Sequence, residues 1–135
     1  MNLAEALLAA DAGKVMKKAT KDFEVKRLSG IICEPFVLHL SQIPSRRVRE
    51  IQDGAVKFDR NNKPVGADTY KLQIMLLVDG ITNKDFDSRE VLKHYGAGTR
   101  KDLCEKLFNA GEIADIAEQI TELCGFGGEQ GAAKV

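Results

Sequence analysis

The sequence predicts an α+β domain that is predominantly helical, a small helical bundle with an N-terminal β-hairpin. Three observations predict it. Apolar residues recur at helical spacing through the C-terminal half, most clearly Ile113, Ile116, Ala117, Ile120, Leu123 and Cys124. Apolar-polar alternation, the strand signature, is confined to residues 20–40. The 135 residues, 44% apolar and 30% charged, suit one core, and no linker or internal repeat divides two large apolar segments. One domain is therefore expected over residues 1–126. Residues 127–135 are small and polar and are expected to form a disordered tail.

The chain opens on a short helix. Asn2 is placed to cap it, with Glu5 three residues on, and Leu3, Leu7 and Leu8 share a face. Gly13 would end it, or Lys14–Lys18 would carry it further. Phe23 and Val25 then alternate with Asp22, Glu24 and Lys26. Ser29-Gly30 reads as a turn, and Ile31–Cys33 with Phe36, Leu38 and Leu40 as a second extended stretch interrupted by Pro35. Ser45 is a candidate cap for a helix carrying Val48 and Ile51 inward and stopping at Gly54. Residues 57–67 are rich in turn formers and are expected to be a polar loop.

Asp68 caps the next helix, which runs to about Val78. Its apolar residues Leu72, Ile74, Met75, Leu76, Leu77 and Val78 cover nearly the whole circumference, as in a buried central helix. After a turn at Asn83–Asp87, a short helix places Val91, Leu92 and Tyr95 inward and stops at Gly96. Thr99 begins another, carrying Leu103, Cys104, Leu107 and Phe108. Asn109 with Glu112 forms a capping-box pattern for the last helix, and Gly125 suits its left-handed stop, with Phe126 folding back on the last turn.

Charge is balanced at 20 basic and 20 acidic side chains, which argues against a dedicated nucleic-acid binder. The balance is uneven along the chain: residues 1–63 carry 12 basic and 8 acidic groups, residues 64–135 carry 8 and 12. Solvated faces explain this, and so would complementary faces that favour head-to-tail association. On the second reading Arg46, Arg47 and Arg49 are candidate self-association residues. No apolar run exceeds five residues, so no membrane span is expected, and Met1–Glu5 lacks the basic-then-apolar order of a secretory signal. Cys33, Cys104 and Cys124 are odd in number and widely spaced, as in reduced cytosolic thiols.

Catalytic and metal-binding patterns are sparse. His39 and His94 lie apart from each other, and no cysteine or histidine pair has zinc-ligand spacing. Gly125-Phe126-Gly127-Gly128 follows a helix rather than a strand, so it reads as a helix stop and not as a phosphate loop. No cofactor and no catalysis are expected.

Particular motifs carry a resemblance. Asp68–Val78, then Ile81-Thr82-Asn83 and Phe86-Asp87, lead to Val91–Gly96 with its tyrosine-glycine. Leu107–Ile113, with leucine-x-x-x-glycine-glutamate, and the closing Glu122–Phe126 follow in order. This order is similar to that of the XkdN-like tail assembly chaperones of long-tailed phages and prophages. Phe36-Val37-Leu38, the helix at Ser45–Gln52 and the Lys57–Ala67 stretch resemble the family's upstream part. Two turn or cap sites depart from its pattern: Asn83-Lys84 stands where glutamate-proline is frequent, and Ala110-Gly111-Glu112 where proline-glycine-glutamate is frequent.

The resemblance implies a non-catalytic cytoplasmic assembly factor of an infected or lysogenic host, absent from the mature virion. Its implied partners are the tape measure protein and the tail tube protein, with a possible homo-oligomer. In many phages of this kind a frameshifted longer form is made. Candidate partner-binding residues are Leu103, Leu107, Ile113, Ile116 and Ile120, each of which also reads as core. One alternative is a small helical nucleic-acid-binding or regulatory module, binding nucleic acid through residues 14–49 with affinity falling steeply in salt; another is an enzyme accessory or orphan enzyme, whose ligand would raise the melting temperature.

Overall fold

Secondary structure follows the capping and patterning signals closely in the second half of the chain and loosely in the first. The computed structural model describes residues 2–126, so the tail expected over 127–135 lies outside the described residues. The order is α1 (Leu3–Ala9), α2 (Ala12–Val15), β1 (Thr20–Glu24), α3 (Lys26–Ile32), β2 (Val37–Ser41) and α4 (Ser45–Gly54). It continues with β3 (Val56–Phe58), β4 (Pro64–Ala67), α5 (Thr69–Gly80), a 3-10 turn (Lys84–Asp87), α6 (Arg89–His94), α7 (Arg100–Leu107) and α8 (Ala110–Leu123). The architecture is mostly helical α+β with a two-stranded antiparallel sheet near the N-terminus, as expected.

Four helices in the second half start on a side chain that accepts a backbone N–H. Asp68 accepts from Lys71, Ser88 from Val91, Thr99 from Asp102 and Asn109 from Glu112. At α8 the reciprocal bond is present too, Glu112 accepting from the Asn109 N–H at 3.0 Å. Arg27 of α3 grips the same carboxylate at 2.9 Å through both Nε and Nη2, so one acidic side chain caps α8 and holds α3 against it. Gly96 and Gly125 take the left-handed stops, at φ 65° and 92°.

β1 and β2 pair in register from Thr20 opposite Ser41 to Glu24 opposite Val37. Leu38 and Leu40 point into the core while His39 faces out, where its Nδ1 lies 2.7 Å from Asp22 across the ladder. Leu38 and Leu40 meet Ile74 and Leu77 of α5, Leu103 of α7, and Ile116 and Ile120 of α8 in one sealed cluster. Gly80 lets α5 pack tightly on α8, since a Cβ there would lie 2.5 Å from Ile120 Cδ1.

Several expectations are corrected. The strands do pair, but a helix and not a turn joins them. Ser29-Gly30 lies inside α3, because Val25 and Leu28 are buried there. The Ser29 hydroxyl also accepts the Phe36 N–H at 2.8 Å, closing the crossover at its far end. Pro35 falls in that connection rather than in a strand. The stretch 57–67 is not a loop throughout: Val56 pairs with Ala67 and Lys57 with Gly66. The Asp59 carboxylate accepts from Asn61 and Lys63 N–H and tightens the turn.

α1 is capped at Asn2 but ends at Ala9, and Gly13 lies inside α2. Pro44, not Ser45, occupies the cap position of α4. Tyr95 is exposed, its ring edge against His94.

Candidate functional site

α5 carries more apolar surface than its neighbours cover. Ile74 and Leu77 are sealed, whereas Leu72 on the same helix is only half-buried. Across from this helix, α8 presents small side chains at Ala114, Ala117 and Thr121, spaced three and four residues apart. Large leucines facing small residues leave a groove of about 540 Å³, floored by Leu72, Leu76 and Ala117. Phe126 closes one end. Its N–H donates to the Thr121 carbonyl at 3.2 Å, Gly125 turns the chain back at φ 92°, and the ring stays 59% exposed over the groove. A smaller hollow beneath the same ring reaches Val48 and Gln52 of α4 and Cys124.

The rim is polar and acidic on the α8 side, where Glu118 and Glu122 line it. An apolar floor with one acidic edge is complementary in chemistry to the aliphatic face of an amphipathic helix flanked by basic residues. Cys104 is fully buried and burial pushes its thiol up to about 12. Among the described residues no group of three His, Cys, Asp or Glu side chains is placed to hold a metal ion.

The residues singled out in the sequence fall as follows. Leu103, Ile113, Ile116 and Ile120 are core, each at most 3% exposed, and Leu107 is half-buried. A partner would reach only Leu107 without opening the domain. α8 does border the groove, but through its Ala114–Thr121 edge and not through its isoleucine stripe. Ala114 and Thr121 were legible only as small side chains next to that stripe, and Leu72 and Leu76 only as surplus on an all-apolar helix. Phe126 folds back as its position after Gly125 suggests, and its ring becomes a groove wall.

Of the three arginines, Arg47 is committed within the molecule, to Asp79 at the end of α5, and that hydrogen bond holds its pKa above the ordinary value. Arg49 lies 3.9 Å from Asp53 with both side chains exposed, and Arg46 is exposed. A second apolar surface left open among the described residues lies at the N-terminus. No residue of α1 or α2 is buried, and Leu3 and Leu8 are 75% and 86% exposed.

The family model described as phage XkdN-like tail assembly chaperone protein matches residues 4–134. The fold is similar to the crystal structure of the protein YqbN, at TM-score 0.56 and 16% identity, covering 88% of this chain and 99% of that one. A comparison with curated proteins returns no match.

Proposed function

We propose that this chain, which belongs to the family of phage XkdN-like tail assembly chaperones, holds apolar helical segments of the tape measure protein in the groove between α5 and α8. The observation that carries this reading is the groove itself: open, floored by Leu72, Leu76 and Ala117, and edged by Glu118 and Glu122. A long helical protein awaiting assembly exposes apolar stripes that aggregate. A groove of this form covers one such stripe over about two turns.

Binding in it would be weak, which suits release. Three or four aliphatic side chains contribute about 1.5–3 kcal/mol each, against at least roughly 4 kcal/mol for lost freedom of motion. Many copies along one client would protect it, and tail tube subunits polymerising around it would displace them. On this reading the protein is non-catalytic, acts in the cytoplasm of the host and is absent from the finished virion.

Calorimetric titration with purified tape measure segments tests the reading. Ala114 is half-buried on the groove wall, so Ala114→Arg fills the groove without hollowing the core. The variant should keep its helical circular dichroism and lose binding. Undiminished binding by the folded variant would place the client elsewhere. Binding of an oligonucleotide instead, falling steeply with salt, would favour a nucleic-acid module.

A further inference from the structure

We infer that the groove has an occupant supplied by the protein itself: in the absence of client, α1 of a second copy lies between α5 and α8. α1 is seven residues long, and none of its residues is buried. Helices shorter than about 12 residues are marginal in water without packing. A capped helix with Leu3, Leu7 and Leu8 all exposed therefore requires a surface to lie on. Among the described residues of the single chain none buries it.

The groove fits it in three respects. In length, seven residues of helix span about 10 Å, and the α5 wall from Thr69 to Leu76 covers the same distance. In chemistry, Leu3, Leu7 and Leu8 occupy one broad face of α1, and the floor is leucine and alanine. In charge, the exposed Lys14, Lys17 and Lys18 follow α1, and Glu118 and Glu122 edge the groove. The contact joins two different patches, so it is head-to-tail and propagates from copy to copy. It also competes with client for one site, a consequence that rests on the reading of the groove as the client's. Copies held together through α1 come apart as client takes their grooves.

Sedimentation velocity over a concentration series tests the contact without any client. The full chain should show association that grows with concentration. Leu3→Asp/Leu7→Asp, at exposed positions, should weaken it about tenfold or more, one buried leucine corresponding to about that factor. Ala114→Arg should do the same from the other side. Glu118→Lys/Glu122→Lys should weaken association, and adding Lys14→Glu/Lys17→Glu/Lys18→Glu should restore it.

Association that survives either the α1 or the Ala114 variant overturns the proposal. So does a full chain that stays monomeric at every concentration. In that case a disulfide between Leu7→Cys and Thr121→Cys, formed within one chain in a Cys33→Ser background, would show α1 seated in its own groove. Client titration separates the two readings. If association depends on α1 and the groove but tape measure segments do not bind, the client assignment fails and the self-contact stands. If both hold, the Leu3→Asp/Leu7→Asp variant should bind client at least as tightly as the full chain.

Discussion

Replacing Arg100 with alanine should destabilise the domain by about 2–4 kcal/mol, chiefly through backbone groups and not through an ion pair. Arg100 opens α7, and its side chain is 16% exposed. Its guanidinium donates to the carbonyls of Val78, Ile81 and Asn83, where α5 ends and the chain turns toward α6. It also makes two bonds to the Asp87 carboxylate, at 2.8 and 3.1 Å, and lies 5.9 Å from the Phe86 ring. Hydrogen bonds from a charged donor contribute about 1.5–3 kcal/mol each, and part of that is lost when the freed carbonyls find water. Asp87 is 62% exposed, so its ion pair is worth about 1 kcal/mol or less. Asp87→Ala should therefore cost under half of what Arg100→Ala costs. Arg100→Lys keeps the charge but loses the fork and should recover only a minor part. Urea denaturation, with free energies from midpoint and slope, measures all three. Equal losses for Asp87→Ala and Arg100→Ala would refute the carbonyl clamp.

Three further outcomes follow from the packing and the titrating groups. Gly80→Ala should lose about 1–2 kcal/mol, overpacking against Ile120 outweighing the gain in helix propensity. In that background Ile120→Ala should cost less than it does alone, and strictly additive losses in a double-mutant cycle would contradict the contact. The hydrogen bonds from Arg27 hold the Glu112 carboxyl below its usual range. Its contribution is thus complete above the unfolded value of about 4.3 and fades as pH falls through the lower folded value. The stability gap between the natural chain and Glu112→Gln should be present at pH 7 and shrink in acid; a gap that does not change with pH would argue against the ion pair. In timed alkylation of the native protein Cys33 should react first and Cys104 only on unfolding. Modification of Cys104 at the rate of Cys33 would contradict the sealed core.

Where the sequence was legible, the cause was local. Asp68, Thr99 and Asn109 each satisfy a donor three residues away, so their helix starts can be read without knowing the fold. The pairing of residues 20–24 with 37–41 was visible as alternation. The helix between them was not, because the burial of Val25 and Leu28 by distant elements overrides the turn chemistry of Ser29-Gly30. The β3–β4 pairing was hidden by residues such as Asn61, Asn62 and Pro64 that favour turns, although their backbone still finds partners within the hairpin. The groove was least legible. It depends on which side of an all-apolar α5 is left uncovered, and that is decided by the small residues of a helix about forty positions away. Arg100 gave no signal at all, since a basic residue in the first turn of a helix looks locally unfavourable.

Whether client occupies the groove is tested most directly by a backbone and methyl NMR titration of the labelled protein with an apolar helical segment of the tape measure protein. Saturable shifts should concentrate at Leu72, Leu76, Ala114, Ala117 and Phe126 and be abolished in the folded Ala114→Arg variant. Shifts confined to the Arg46–Arg49 face or the β3–β4 hairpin, with the groove unperturbed at saturation, would contradict client occupancy of the groove.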